Sequence, residues 1–256
     1  GRADLYLFAG GAVRIHAQDG SGRFPEEPTW KGRVPKADGG PDEIRVRDLD
    51  GDGRAELFAL GSSGGGLLSN DEVLEVLRGA DPGPLLEAPA ARFKFEGYGL
   101  YLECVDVDGD GVLDLALSVL DVPMTPDAIA TGTRLKWNYH IFRGVRGEGV
   151  EREGSLRFTE AWEPEAIAGL GMIATFGGDA DGDGVADFLR VAPDGRLGVH
   201  RIVKTRSGRL EREERPLFEV PIERAAKDLA ALRLDEDART DAVVFHDDGF
   251  TTVLPR

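Results

Sequence analysis

The chain has 256 residues, 41% of them hydrophobic, and its 31 basic and 47 acidic residues give a formal net charge of −16. That balance excludes a nucleic-acid binder and a partner of anionic membrane surfaces, because both need clustered Lys and Arg. The hydrophobic share excludes a wholly disordered acidic protein, so the carboxylates are expected to collect where cations sit.

Read from the N-terminus, the chain alternates short apolar runs with turn signals. The run LYLF near Leu5 is followed by Ala9-Gly10-Gly11, a tight-turn signal, and then by VRIHA. The first residues, GRADLYLF, match GRAELFAL at Gly53–Leu60. A further repeat copy is therefore expected, with its loop upstream of residue 1. The second copy opens at Ile44 with IRVRDLDGDGRAELFAL and continues through VLEVL and RFKFE. The third opens at Leu102 with LECVDVDGDGVLDLALSV. The insertion DVPMTPDAIATGTRLK follows, expected as a long loop with about one helical turn, and then YHIF. The fourth opens at Ala174 with ATFGGDADGDGVADFLRV and continues through PDGR, GVHRIV and RLERE. The last, AALRLDEDARTDAVVF from Ala230, ends in DDG and TTVL.

Repeat units of about 1–43, 44–101, 102–171, 172–229 and 230–256 follow from this phase. Each reads as strand, acidic loop, strand, turn, strand, turn, strand. Four antiparallel strands recurring in this way predict an all-β fold, a β-propeller built of four-stranded blades with the Asp-rich loops between first and second strands. It forms either a single domain or part of a larger propeller. DEVLEVLRG and PIERAAKDLAAL fit helical periodicity in isolation, but the repeat phase assigns strands to both.

The acidic loops carry the chemistry. In the first, carboxylates of Asp48, Asp50, Asp52 and Glu56 occupy positions 1, 3, 5 and 9, and Arg54 offers its carbonyl at position 7. Gly53 at position 6 supplies the positive φ that turns the chain around an ion. Asp106, Asp108, Asp110, Asp114 and the Val112 carbonyl repeat the set, as do Asp179, Asp181, Asp183, Asp187 and the Val185 carbonyl. So many carboxylates in nine residues repel one another unless a cation joins them. All-oxygen ligation selects Ca²⁺ over zinc, giving about three sites. An EF-hand is excluded, because position 12 is Ala59, Leu117 or Arg190 instead of a bidentate Glu. In the last copy Arg233 replaces the first Asp, and Glu236 and Ala238 replace the glycines. This loop is expected to be metal-free, with the Arg233 guanidinium bridging Asp235, Asp237 and Asp241.

DLDGDGRAELFAL, DVDGDGVLDLALSV and FGGDADGDGVADFLRV resemble the FG-GAP or VCBS repeats of bacterial surface proteins and integrin α-subunit propellers, and Phe176-Gly177 keeps the Phe-Gly element. The resemblance implies a calcium-binding scaffold, secreted or at the cell surface, that adheres to a protein or glycan ligand.

Function is expected to be non-enzymatic. No G-x-S-x-G, H-E-x-x-H or dinucleotide glycine motif is present. His16, His140 and His200 fall at corresponding strand positions, which marks them as packing residues, with His246 the fourth histidine. The alternatives are a propeller-based secreted lyase or hydrolase, and an architectural subunit of a larger surface assembly. Trp30, Trp137 and Tyr139 are the aromatic candidates for ligand contact, although each is expected first as blade packing. The single cysteine, Cys104, rules out an intrachain disulfide and is expected to be buried. No apolar run is long enough for a membrane-spanning helix. Loops of this type bind calcium at about 10⁻⁴–10⁻³ M, so an extracytoplasmic location is expected.

Overall fold

Alternating apolar residues set the strand register, helped by two-residue turns such as Gly10-Gly11 and Asp247-Asp248. The computed structural model describes residues 4–34, 43–66, 69–80, 83, 88–121, 135–162, 174–192, 194–237 and 239–255. The chain forms two compact units, residues 1–100 with 144–152 and residues 101–143 with 153–256. All regular structure among the described residues is antiparallel β.

The first unit opens with β1 (Asp4–Ala9), β2 (Ala12–Ala17) and β3 (Trp30–Arg33) in one three-stranded sheet. Gly10 and Gly11, both at positive φ (56° and 76°), make its two-residue turn, the geometry that matches strand twist. A four-stranded meander follows: β4 (Glu43–Arg47), β5 (Glu56–Gly66), β6 (Ser69–Leu77) and β7 (Ala91–Glu96). DEVLEVL lies in β6, so the repeat phase prevails over helical periodicity there. Val13, Ile15, Leu57, Ala59 and Leu77 pack these two sheets together, with Trp30 against them.

The second unit contains two more four-stranded meanders. One joins β8 (Tyr98–Val105), β9 (Asp114–Asp121), β10 (Leu135–Phe142) and β13 (Leu156–Trp162). Before β13 the chain makes the short ribbon β11 (Gly144–Val145) and β12 (Gly149–Val150), which belongs to the first unit. The other meander joins β14 (Ala174–Gly178), β15 (Asp187–Val191), β16 (Arg196–His200) and β19 (Phe218–Pro221). Here the expected continuous run GVHRIV breaks at Arg201. Its second half, β17 (Ile202–Lys204), pairs with β18 (Leu210–Arg212), and the fourth strand is β19 instead of RLERE. The last sheet joins β20 (Asp228–Leu232), β21 (Asp241–His246) and β22 (Gly249–Val253). PIERAAKDLAAL thus contributes the end of β19 and all of β20. The central part of the long insertion, residues 122–134, lies outside the described residues.

Aromatic side chains fill this unit's core. Tyr139 is fully buried, stacked on Phe158 at 4.8 Å and edge-on to Phe188 at 5.0 Å, and Trp137 joins the same cluster. Both thus serve as packing, the first expectation for each, and neither is available as a ligand anchor. All four histidines are inside. His16, His200 and His246 set Nδ1 against the carbonyls of Pro25, Glu213 and Ala225, and His140 accepts from Arg157 at 3.0 Å. Burial, then Arg157, lowers the His140 pKa to about 4, so its ring is neutral at pH 7. Cys104, expected inside, is half-buried on β8.

Candidate metal centres

Three loops, each joining the first and second strands of a four-stranded meander, share one backbone design. The glycines at positions 4 and 6 all adopt positive φ: 68° and 86° at Gly51 and Gly53, 73° and 80° at Gly109 and Gly111, 83° and 88° at Gly182 and Gly184. Each loop curls around the carboxylate at position 1. Asp106 accepts from the N–H groups of Gly109, Asp110 and Gly111 at 2.9–3.2 Å, and Asp179 accepts from Gly182, Asp183 and Gly184 at 2.7–3.1 Å. Asp48 accepts from Gly53 at 3.1 Å.

The acid at position 9 begins the second strand and closes the loop from the other side. Glu56, Asp114 and Asp187 accept from the position-2 N–H groups of Leu49, Val107 and Ala180 at 2.8, 2.9 and 3.0 Å. The carboxylates at positions 1, 3 and 9 are thereby brought together. One oxygen from each of Asp48, Asp50 and Glu56 lies within 4.8 Å of the others, and the same holds for Asp106, Asp108 and Asp114 and for Asp179, Asp181 and Asp187. These three triads have the composition and spacing to hold a metal ion.

Position 5 lies outside these triads. Asp52, Asp110 and Asp183 turn back to accept from the position-7 N–H groups of Arg54, Val112 and Val185 at 2.7, 2.9 and 2.9 Å. Their first role is a turn that orients the position-7 residue.

Two buried oxygens in these loops make no hydrogen bond, Asp50 Oδ2 and Asp108 Oδ1. Asp50 is fully buried and Asp108 is 5% exposed. An ionised oxygen left so is strongly unfavourable unless a cation takes it, and this is the observation that fits a metal to the triads. The electrostatics agree. Burial pushes the Asp50 carboxyl above its usual range, opposed by the Asp52 N–H and reinforced by the Asp52 charge. Glu56 is raised, chiefly by burial. Asp187 is pushed up to about 7 by burial, with Asp181 and Asp183 adding to the effect.

The FG-GAP-like repeat family matches residues 1–59 and 48–117. The N-terminal region carries FG-GAP-like repeats. The matched FG-GAP-like segments contain the loops at Asp48 and Asp106, and the loop at Asp179 repeats their geometry outside the match. No curated protein matches the chain.

The fourth loop keeps part of this design. Asp241 still accepts from the Leu234 N–H at 2.7 Å, but Glu236 has a negative φ where the other loops have glycine. No carboxylate triad forms here among the described residues. The expected bridge does not form either, since among the described residues no ion pair joins Arg233 to Asp235, Asp237 or Asp241. Arg233 instead lines a concavity of about 420 Å³ with Asp106, Asp179 and Thr240. In this copy the longer Arg233 side chain faces the neighbouring surface, where the position-1 aspartates of the other loops turn into their own.

Three arginines escape a reading of the loops alone. The residues paired with position 10 are Leu77, Phe142 and His200, and the next residue in each case is Arg78, Arg143 or Arg201. Arg143 pairs with Asp108 at 2.8 Å and Asp110 at 3.3 Å, and Arg201 with Asp181 at 2.6 Å and Asp183 at 3.1 Å. Lys204 adds a second contact to Asp108 at 3.0 Å. Arg78 donates instead to the carbonyl of Gly147. A repeat alignment extended through the third strand contains the signal: L-R-G, F-R-G and H-R-I share one register.

Proposed function

We propose that this protein is a calcium-binding repeat scaffold of the β-propeller type that works by adhesion, recognising a protein or glycan outside the cytoplasm. The reading is supported above all by the unpartnered, buried Asp50 Oδ2 and Asp108 Oδ1 in oxygen-only triads of matching geometry. Calcium is favoured over transition metals because every side-chain donor is a hard carboxylate oxygen. The ligands would be the carboxylates at positions 1, 3 and 9, with the position-7 carbonyl and position 5 completing each site. Three bound ions would take the formal charge from −16 to −10, easing self-repulsion.

The four-stranded meanders would be blades of the propeller. The role of the ion is structural. At millimolar calcium each site of about 10⁻⁴–10⁻³ M affinity would stabilise the fold by about 0.5–1.5 kcal/mol. Such sites are empty at sub-micromolar calcium, which is the support for a secreted, periplasmic or surface location. The non-catalytic reading is supported by the commitment of all four histidines to packing.

The deciding experiment is thermal unfolding with and without chelator, joined to elemental analysis of the purified protein. About three equivalents of calcium and a lower melting temperature after chelation are expected. An unchanged melt with no bound calcium ends this reading, and an experimental structure whose sheets are not arrayed about one axis ends the propeller part of it.

A further inference from the structure

The chain leaves β10 and β16 in the same way: an arginine, Arg143 or Arg201, and then a two-stranded ribbon, β11–β12 or β17–β18. Each ribbon lies on the acidic loop of the meander before its own. At the loop from Asp48, the Gly147 N–H of the first ribbon donates to the Asp50 carbonyl at 3.2 Å, and the Arg146 guanidinium lies against Gly51. At the loop from Asp106, Lys204 of the second ribbon pairs with Asp108 at 3.0 Å, while Ile202 and Leu210 join the apolar cluster that holds Val107. Position 3 is covered as a result: Asp50 is fully buried, and the Asp108 side chain is 0% exposed. The loop from Asp179 has the carboxylates without the cover. Among the described residues no ribbon crosses it, and the Asp181 side chain is 17% exposed. In the corresponding place a groove of about 460 Å³ runs along Leu217, Phe218, Val220, Val253 and Leu254 to Asp181. It adjoins a concavity of about 700 Å³ that Asp181 lines with Asp235 and Asp237, and Arg239 borders both.

We propose that this groove is a docking site for a β-ribbon of a partner protein, one that carries an apolar residue and, two positions on, a lysine or arginine. The docking rests on the adhesion reading above for its partner being a protein, and it is independent of bound calcium. The chain's own second ribbon is the template. Ile202 and Lys204 stand two apart on one strand and so project from the same face. Ile202 is fully buried, and Lys204 reaches the position-3 carboxylate. The groove at Asp181 offers the same two surfaces side by side. Its apolar wall abuts Ala180, the position-2 residue, and leaves Leu217 and Leu254 43% and 46% exposed. Exposed apolar surface of this kind, rimmed by charge, marks an interaction site. Its acidic end holds Asp181, which pairs with Arg201 as Asp108 pairs with Arg143, but among the described residues has no second ion-pair partner of the kind Lys204 gives Asp108. Asp235 and Asp237 each spend one oxygen on a local N–H and form no ion pair among the described residues. Three carboxylates against Arg201 and Arg239 leave an acidic excess, which selects a basic side chain in the partner.

A cyclised peptide of residues 201–213, RIVKTRSGRLERE, serves as the probe, because this ribbon fills the equivalent place on the loop from Asp106. Titrated into isotope-labelled full chain, it should shift the backbone resonances of Asp181, Leu217, Phe218 and Leu254. Leu217→Asp in the chain should weaken binding by about tenfold or more, and Lys204→Gln in the peptide by about tenfold. Leu254→Asp repeats the first test at a second exposed side chain and keeps it available if Leu217→Asp does not fold, with circular dichroism reporting the fold. Absence of binding overturns the docking site, as does equal binding of the Lys204→Gln peptide. Shifts confined to Val107 and Asp108 overturn it too, since the peptide has then only exchanged with the chain's own ribbon. A dimer of this chain in sedimentation that Leu217→Asp dissociates overturns the partner assignment in favour of a second copy. Peptide binding by a protein that takes up no calcium ends the calcium reading and leaves this inference standing, whereas bound calcium without peptide binding ends this inference alone.

Discussion

The loops at Asp179 and Arg233 sit on neighbouring sheets of the same unit and differ in a handful of residues. Both keep the position-9 acid on the position-2 N–H, Asp187 on Ala180 and Asp241 on Leu234. Both keep the position-5 turn, Asp183 on Val185 and Asp237 on Arg239. Only the first has glycine at position 4, aspartate at position 1 and an arginine after the third strand, where the second has Glu236, Arg233 and Leu254. The pair teaches that the acid at position 9 belongs to the scaffold and the triad is laid over it. Losing the triad leaves the strand-to-strand connection standing.

The sharpest way to break this comparison is at the backbone. Gly109 has φ 73°, and a Cβ there would collide with the carbonyl of Gly184. Gly109→Ala should destabilise the protein by at least about 2 kcal/mol in denaturant melts, with or without calcium. Removing the shared scaffold acid comes next. Asp241→Ala should lower stability by about 1–3 kcal/mol without changing calcium stoichiometry. Asp187→Ala should lower it by a similar amount and also abolish one calcium site, by melts combined with metal analysis. If Asp241→Ala alters calcium binding, the separation of scaffold from site is wrong.

The comparison can also be run forwards. Arg233→Asp with Glu236→Gly and Ala238→Gly should convert the last loop, raising the stoichiometry from about three to four and adding about 1 kcal/mol at millimolar calcium. A smaller effect distinguishes the loops by pH. The Asp187 carboxyl, pushed up to about 7 in the folded protein, favours its protonated form there. In calcium-free protein its contribution is therefore full below about 4 and is lost as pH rises through 7. Calcium requires the carboxylate, so binding at this loop should weaken several-fold between pH 7.5 and 6, which calorimetry at the two values would detect.

Much of this was legible in the residues. Repeat phase located the strands correctly where helical periodicity competed, at Ser69–Leu77 and Asp228–Leu232, because burial of alternate apolar residues against a neighbouring strand outweighs a single amphipathic window. The D-x-D-G-D-G spacing located the triads, since glycine at positive φ and short acidic side chains restrict the loop to one path. What escaped was non-local. Arg201 is 18 residues from Asp183, Arg143 is 33 from Asp110, and Lys204 is 96 from Asp108, so no loop motif contains them. The ribbon from β17 to β18 also escaped, because one apolar run served two different partners. The position-5 aspartates lie outside the triads, and the position-7 N–H takes one oxygen of each, a local turn the motif does not display.

Gly109 lies against Gly184, and the Ala186 N–H donates to the Val107 carbonyl at 2.8 Å, while the Thr240 N–H donates to the Asp179 carbonyl at 2.7 Å. Main chain touches main chain from one loop to the next across this unit. On the calcium reading, an ion that tightened one turn would tug on its neighbour, and these sites would answer as a linked row instead of as separate beads.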